Sequence, residues 1–225
     1  MPEAVSYGPT DDQVIHLRRP AEPGPHPGVI LVHGGFWRHM WTRDTMDGIA
    51  IDLARRGYVS ANVEYRRVGG GGGWPETVDD VETAVRTVIE REDLSDVAVI
   101  GHSAGAQLAF MAASRLDPPP LAVSLGGVLD LEAAVSTGIG NQAAAAFLAG
   151  ADPTDASPLH HPVPRAVAIH GTDDDRVPVD HARTYASERQ ARLVELAGTG
   201  HFEFLERSDP AWQAVVKVLE RELPA

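Results

Sequence analysis

Residues 97–100 form an apolar run that passes directly into the sequence GHSAG at 101–105, and helix-forming residues follow at 104–115. The apolar run is typical of a buried strand, so the local order is strand, G-x-S-x-G turn and helix. This turn is so tight that its central serine takes a strained backbone conformation, and glycines are needed where a Cβ would clash. The hydroxyl of Ser103 is then held above the edge of a sheet, at the positive end of a helix. The stretch therefore predicts a nucleophile elbow.

The rest of the chain alternates between segments with strand patterns and segments with helix patterns. Strands are predicted at 13–18, 28–32, 58–65, 97–100, 121–125, 166–170 and 192–196, and helices at 44–56, 75–88, 104–115, 131–135, 142–148, 180–189 and 210–223. This alternation predicts the α/β class, with a mainly parallel sheet covered by helices on both faces. We expect one domain over residues 1–225, because no internal repeat is found and the proline-rich stretch at 20–27 lies too near the N terminus to separate two cores.

Charge and composition narrow the range of partners. The formal net charge of −13 at pH 7 argues against nucleic acid and anionic membrane surfaces. The chain has no cysteine, which excludes disulfides, thiolate metal sites and cysteine nucleophiles. Its first residues lack the basic start and apolar core of a signal peptide, and no apolar run approaches the roughly 18 residues of a membrane span. We expect a soluble, cytoplasmic protein.

Polar residues follow the predicted strands at their carboxyl ends, where an α/β sheet binds ligands. Ser103 follows one strand, the aspartates at 173–175 follow a later one, and His201 follows the last. Serine, aspartate and histidine in this order accompany a nucleophile elbow, because the imidazole removes the hydroxyl proton and the carboxylate orients the imidazole. Spacing alone does not choose among the three aspartates, and Asp130 is a further candidate. We expect two of the three aspartates at 173–175 to be solvated or to pair with Arg176.

Three other histidines end strands of the predicted sheet, and we interpret them as structural. His33, His102 and His170 come too early in the chain, or sit beside other elements, to act as the base. We expect each of them to be buried and hydrogen-bonded to a neighbouring loop.

A second loop of chemical interest, His33-Gly34-Gly35, follows an early predicted strand. The tetrahedral intermediate of acyl transfer carries an oxyanion that needs backbone N–H donors, and glycine lets the backbone come close to a substrate. An HGG loop and the residue after the serine supply such donors. We therefore predict that the N–H groups of Gly35, Phe36 and Ala104 form an oxyanion hole.

Taken together, these motifs resemble those of esterases and amidases with the α/β-hydrolase fold. The sequence HGGFW at 33–37 matches the H-G-G-x-W signature of kynurenine formamidases (arylformamidases). The sequences NVEYR at 62–66 and GHSAGAQLA at 101–109 are similar to that group and to hormone-sensitive-lipase-like esterases. The resemblance runs from about 28 to 201. It implies an α/β-hydrolase fold without a large cap domain, in which only residues 130–161 could form a small lid.

The resemblance also selects the acid. The sequence HGTDDDRVP at 170–178 is similar to the family pattern H-G-T-x-D-x-x-V-P, in which the carboxylate in the fifth position orients the histidine. That position is Asp174. The chain departs from the formamidase pattern at Gln107, where those elbows often carry histidine.

We expect a small pocket with aromatic walls. Trp37 and Trp74 are predicted to bind substrate, together with Phe36, and the five glycines at 69–73 are predicted to form a mobile edge. The short lid favours a small substrate over a long triglyceride or a folded protein.

The resemblance implies a serine hydrolase that cleaves a small carboxylic ester or (form)amide through an acyl-enzyme at Ser103. Two alternatives stay open: an arylformamidase specific for N-formylkynurenine-type substrates, and a non-catalytic ligand-binding homologue of the same fold. An exopeptidase or a thioesterase-like acyltransferase ranks lower, because no acidic pair that would hold a peptide amine is evident. We expect a small-molecule partner, no cofactor, no metal, and a monomer or homodimer.

Overall fold

The structure, a computed structural model, describes residues 1–94 and 96–223. Its strands are β1 (Glu3–Ser6), β2 (Val14–Arg18), β3 (Gly28–Val32), β4 (Val59–Val63), β5 (Val97–His102), β6 (Leu121–Leu125), β7 (Ala166–Gly171) and β8 (Arg192–Leu196). Its α-helices are α1 (Asp47–Arg55), α2 (Glu76–Glu92), α3 (Ala104–Ser114), α4 (Leu131–Thr137), α5 (Ile139–Leu148), α6 (Pro153–Ala156), α7 (Asp180–Arg189) and α8 (Pro210–Glu222). Short 3₁₀ turns lie at Arg43–Met46, Pro158–His160 and Glu203–Leu205.

All eight strands form one sheet in the order β1-β2-β4-β3-β5-β6-β7-β8. Strands β3 to β8 run parallel, whereas β1 and β2 are antiparallel to their neighbours. Parallel strands joined by crossover helices are covered on both faces, and β3, β4, β5 and β6 are accordingly buried along their whole length. The predicted α/β architecture with a mainly parallel sheet is therefore confirmed.

Alternate residues of the central strands face opposite helical layers, as the two-residue period of a strand requires. Ile30 and Val32 of β3 belong to the core that β3 forms with α2 and α3. Val29 and Leu31 point to the other side and pack with α1 and α8. Tyr185 of α7 packs against α3, on the same side as α2.

Most predicted elements agree with the structure, and the differences have local causes. The sequence pattern does not indicate β1, because only Val5 among its four residues is buried. The helix predicted at 142–148 corresponds to α5, which is interrupted near its start by left-handed residues at 140–142. The turn α6 is four residues long, too short to show a helical period.

The parallel direction of β3, β5, β7 and β8 brings their carboxyl ends to one edge of the sheet. The loops that leave this edge carry the predicted oxyanion loop, the predicted serine, the aspartates at 173–175 and His201. The fold therefore gathers residues that are far apart in the chain into one region. Within the described parts of the chain, none of the helices combines the length and the apolarity that crossing a membrane requires.

Candidate active site

Ser103 occupies the turn between β5 and α3, with φ 56° and ψ −123°. This is the strained conformation that the pentapeptide predicts. A Cβ at Gly101 would overlap the backbone of Gly105 and Ala106, and a Cβ at Gly105 would overlap the backbone at the end of β3. The prediction that both glycines are sterically required is therefore confirmed. The turn leaves Ser103 almost fully buried, with 3% of its surface exposed.

Asp174 and His201 come together although 26 residues separate them in the sequence. Nδ1 of His201 lies 2.7 Å from Oδ2 of Asp174. The other carboxylate oxygen, Oδ1, accepts hydrogen bonds from the backbone N–H groups of Arg176 at 2.9 Å and Val177 at 2.8 Å. Because Nδ1 faces a carboxylate it carries the hydrogen, which leaves Nε2 of His201 free to accept a proton.

The other candidate acids lie elsewhere. Asp173 and Asp175 are exposed, and Asp175 forms a 3.3 Å ion pair with Arg176, so the expectation that the unused carboxylates are solvated or paired with Arg176 is confirmed. Asp130 caps α4 by accepting a hydrogen bond from the N–H of Ala133 at 2.9 Å.

Hydrogen bonds stabilise the ionised form of Asp174. Burial by itself raises the pKa of this carboxyl, but the hydrogen bonds from His170, His201 and Val177 outweigh burial and hold the pKa well below its ordinary value of 3.8. Asp174 is therefore ionised at neutral pH, where it accepts a hydrogen bond from His201.

Two of the histidines interpreted as structural contact this pair directly. His170 is buried, with Nε2 2.9 Å from the carbonyl oxygen of Val177 and 3.3 Å from Oδ2 of Asp174. His102 is also buried, and its Nε2 lies 2.9 Å from the carbonyl oxygen of His201. Burial, together with the nearby His201 ring, lowers the pKa of His102 to about 3. The expectation that His102 and His170 are buried and hydrogen-bonded to neighbouring loops is therefore confirmed.

Ser103 and His201 line the same pocket, which has a volume of about 270 Å³. Its other lining residues are Gly34, Gly35, Phe36, Trp41, Thr45, His102, Arg176, Phe202 and Leu205. The hydrogen bonds found among the described residues include the one between His201 and Asp174 but none between the Ser103 hydroxyl and His201. In the same part of the chain, no group of three or more histidine, aspartate or glutamate side chains is arranged to hold a metal ion.

The loop after β3 has an unusual backbone next to Ser103. Gly35, Phe36 and Trp37 have φ values of 108°, 55° and 57°. Gly34 lies so close to the elbow that a Cβ there would come within 2.8 Å of the Cβ of Ser103. Among the described residues, the N–H groups of Gly35 and Phe36 donate no hydrogen bond within the chain. The N–H of Ala104 is the first of α3, where no intrahelical acceptor exists. These three N–H groups thus have no acceptor in the described part of the chain, and Gly35 and Phe36 also line the pocket that holds Ser103.

A buried ionic network lies behind this loop. His33 has its Nδ1 2.7 Å from the carbonyl oxygen of Gly34 and its Nε2 2.9 Å from Oε1 of Glu64. Glu64 also pairs with Arg67 at 2.6 Å and accepts the N–H of Arg43 at 3.0 Å. Both ring nitrogens of His33 face acceptors, so the ring holds the Gly34 carbonyl in place through Glu64. The expectation that His33 is buried and hydrogen-bonded is confirmed.

Sequence reasoning missed this network because its members are scattered along the chain. The available signal was a glutamate and two arginines directly after the buried strand β4, where charged side chains need partners.

Trp37 lies in the core and not on the pocket wall where the sequence analysis placed it. It has no exposed surface, stacks on Phe147 with ring centroids 4.9 Å apart, and donates from Nε1 to Oε1 of Gln107 at 3.0 Å. Gln107 in turn donates to the carbonyl oxygen of Ala156 at 2.9 Å. The left-handed backbone at Trp37 turns its indole away from Ser103 and into the core.

Trp74 is also absent from the wall around Ser103. It packs edge-on against Phe147 at 6.5 Å, and the guanidinium of Arg115 lies 5.6 Å from its ring. The glycines at 69–73 likewise do not line this pocket: two of their N–H groups donate to the carbonyl oxygen of Arg67, which makes the run a hydrogen-bonded turn. Trp41 and Phe202, which the sequence analysis did not select, are the aromatic residues that join Phe36 at the pocket.

The segment at 130–161 packs against the loop that follows β3. Arg38 donates to the carbonyl oxygens of Gly140 and Asn141 at 2.7 and 3.0 Å. Gly140 approaches the ring of Phe36 so closely that a Cβ would overlap it. The segment therefore stabilises Phe36 from behind.

Comparison with known proteins identifies related sequences. The BD-FAE family model matches residues 15–136. Esterase LipC of Mycobacterium tuberculosis is 27% identical over 96% of this chain and 64% of its own length. The kynurenine formamidase of Danio rerio is 31% identical over 59% of this chain and 48% of its own. The chain thus spans less than two thirds of the length of either relative.

Solved structures share the fold. The thermophilic esterase Est2 of Thermogutta terrifontis superposes with a TM-score of 0.78 at 20% identity, covering 98% of this chain and 90% of that one.

Proposed function

The chain belongs to the BD-FAE family and has the α/β-hydrolase fold, and on that premise we propose that it is a serine hydrolase. In this proposal it cleaves a small carboxylic ester or amide through an acyl-enzyme at Ser103. The observation that carries the proposal is one pocket holding a strained serine and a histidine whose Nδ1 is 2.7 Å from a buried carboxylate. Relatives named as an esterase and as kynurenine formamidases support ester or amide cleavage.

The chemistry follows from the roles that these atoms can take. Nε2 of His201 removes the hydroxyl proton of Ser103 as the oxygen attacks the substrate carbonyl, and Asp174 stabilises the imidazolium that results. The same imidazolium then protonates the leaving group. Water activated by His201 hydrolyses the acyl-enzyme and regenerates the serine.

Three backbone groups are proposed to stabilise the tetrahedral intermediate. The N–H groups of Gly35, Phe36 and Ala104 lie beside Ser103 without an acceptor from the described part of the chain. Donors fixed before the reaction stabilise a developing oxyanion without reorganisation, each contributing on the order of 10²–10³ in rate. A pocket of about 270 Å³ favours a short acyl or leaving group, because ligand pockets for drug-sized molecules start at roughly 300 Å³.

A fluorophosphonate probe tests the proposed nucleophile. Labelling at Ser103, identified by peptide mass spectrometry and abolished in Ser103→Ala, is the expected result. On p-nitrophenyl acetate the same variant should lose roughly 10⁴-fold or more in turnover. A loss below about tenfold would remove Ser103 from the mechanism. If the folded wild-type protein were neither labelled by the probe nor active on the ester, a non-catalytic ligand-binding homologue would be favoured instead.

An arylformamidase is the second candidate. It is favoured by the sequence HGGFW at 33–37 and by the relatives named kynurenine formamidase. A panel of N-formylkynurenine, p-nitrophenyl acetate and p-nitrophenyl octanoate separates the two functions. Preference for the formamide by several orders of magnitude in kcat/KM would establish the formamidase, and activity on the esters alone would exclude it.

A further inference from the structure

One cationic side chain lies on the wall of the pocket that holds Ser103. Of the described residues that line this pocket, only Arg176 carries a permanent charge. The part of the wall that the described residues form carries no carboxylate, because Asp174 is turned into its hydrogen bonds with His201 and the loop backbone. The formal charge on the described wall of the pocket is therefore that of Arg176, in a protein whose formal net charge is −13.

A hydrogen bond to Asp174 fixes the backbone of Arg176. Its backbone N–H donates to Oδ1 of Asp174 at 2.9 Å, so its Cα cannot move without disturbing the acid. Its side chain projects from this anchor and is about half exposed, at 52%. A guanidinium held at the mouth of a pocket by a rigid backbone can recognise a small anion with its planar set of donors.

The local ion pair leaves most of the guanidinium free. In the described part of the chain, the ion pair of Arg176 is a single contact from Nε to Asp175, 3.3 Å long. Asp175 is 75% exposed, and pairs between exposed side chains contribute little free energy. The terminal nitrogens of Arg176 are therefore available to a ligand.

We propose that Arg176 determines specificity by binding a carboxylate or similar small anionic group on the substrate. This inference rests on the proposed function, because it assumes that Ser103 attacks a carbonyl in the same pocket. It adds a substrate class: esters or amides that carry a negative charge within reach of the pocket mouth. An acidic protein repels anionic substrates at long range. A cation at the pocket would attract them locally, which the overall charge of the protein cannot do.

Two matched pairs of esters test the proposal and locate the charge. On the leaving-group side the pair is 3-acetoxybenzoate and its methyl ester; on the acyl side it is p-nitrophenyl hydrogen glutarate and its methyl ester. The readout is the ratio of kcat/KM for the anionic ester to kcat/KM for the neutral ester, which cancels effects common to both. Arg176→Ala should lower this ratio about tenfold in one pair. Arg176→Lys should keep part of the wild-type preference for the anionic ester. Arg176→Glu should lower the ratio below the value of the alanine variant.

Arg183→Ala is the matched control. This arginine is about half exposed like Arg176 but pairs with Asp180 and Glu195, and it does not line the pocket, so the ratio should not change. If all Arg176 variants kept the wild-type ratio in both ester pairs, the inference would be overturned. Hydrolysis of the neutral esters by the same proteins would still support the proposed function. A wild-type protein that cleaves no ester and takes no fluorophosphonate would overturn both.

Discussion

Oδ2 of Asp174 lies 2.7 Å from Nδ1 of His201. The same oxygen lies 3.3 Å from Nε2 of His170, so one carboxylate oxygen is shared between two imidazoles. The other oxygen binds two backbone N–H groups. Asp174 therefore both orients His201 and closes its own loop, and these two roles can be separated by substitution.

Asp174→Asn should abolish most activity while keeping the loop closed. The asparagine oxygen can still accept the N–H groups of Arg176 and Val177, but the side chain no longer stabilises an imidazolium at His201. We expect kcat on p-nitrophenyl acetate to fall about 10⁴-fold. Asp173→Asn, the same substitution at an exposed neighbour, should change it less than about twofold. Comparable losses in the two variants would contradict the assignment of Asp174.

The ionised Asp174 should also make stability depend on pH. Its pKa in the folded protein is below the ordinary value of 3.8, so its charge stabilises the folded state at neutral pH. This contribution is complete above about pH 5 and is lost as the pH falls through and below about 4. The difference in unfolding free energy between wild type and Asp174→Asn, from urea titrations, should therefore narrow between about pH 6 and about pH 3. If this difference stayed constant or widened on acidification, the stabilising role of the ionised Asp174 would be refuted.

Gly126 is predicted to keep the Asp174–His201 pair in place. It has φ 53°, and a Cβ there would come within 2.9 Å of Oδ2 of Asp174 and 3.3 Å of Nδ1 of His201. Gly126→Ala should therefore displace the pair and lower kcat about 10–100-fold. Gly71→Ala is the control, because Gly71 has φ 82° and open space around its Cβ position. Both variants should lose roughly 1 kcal/mol of stability to backbone strain, but only Gly126→Ala should lose activity.

The sequence was sufficient for the elbow, because each of its requirements is local. The strain at Ser103 and the two flanking glycines follow from a tight turn between a strand and a helix, and the structure shows all of them. The choice of Asp174 among three adjacent aspartates needed the resemblance to a family, because spacing does not reveal which side chain turns inward.

Side-chain direction around the pocket was beyond the sequence. Trp37 directly follows Phe36 in the loop after β3, and both residues have left-handed backbone conformations. The ring of Phe36 nevertheless lies at the pocket, whereas that of Trp37 lies in the core. Trp41 reaches the pocket from the end of the same loop. The inward direction of Trp37 depends on its packing against Phe147 of α5. A short-range sequence pattern does not encode this long-range contact.

Trp41, and not Trp37, is therefore predicted to affect substrate binding. Trp41 is 43% exposed and lines the pocket, whereas Trp37 is fully buried. Trp41→Ala should raise KM for p-nitrophenyl butyrate about tenfold through lost apolar contact. Trp37→Phe should leave this KM unchanged but lower the free energy of unfolding by about 1–2 kcal/mol, because it removes the donor to Gln107. A raised KM in Trp37→Phe with none in Trp41→Ala would reverse the assignment.

Glu64 is the centre of the network behind the loop that follows β3, the proposed oxyanion loop. Its side chain is 3% exposed, and that of its partner Arg67 is 2% exposed. Arg67 in addition donates to the carbonyl oxygen of Trp41, and His33 connects Glu64 to the carbonyl of Gly34. Loss of the Glu64 charge should therefore affect both stability and the geometry of the oxyanion donors.

Glu64→Gln should destabilise the protein by about 2–3 kcal/mol, because Arg67 loses its buried carboxylate partner and keeps the ion pair with the partly exposed Asp12. The variant should also lose activity at temperatures where it is still folded, since a neutral amide holds the His33 ring more weakly than a carboxylate and His33 contacts the Gly34 carbonyl next to the Gly35 N–H. Thermal and urea unfolding measure the first effect, and kcat/KM on p-nitrophenyl acetate measures the second. Glu82→Gln is the matched control: its pairs with Arg86 at 2.9 Å and Arg115 at 3.5 Å lie at the surface, so the substitution should cost less than about 1 kcal/mol. Equal destabilisation in the two variants would show that Glu64 contributes no more than a surface charge, and full activity in folded Glu64→Gln would separate the network from the oxyanion loop.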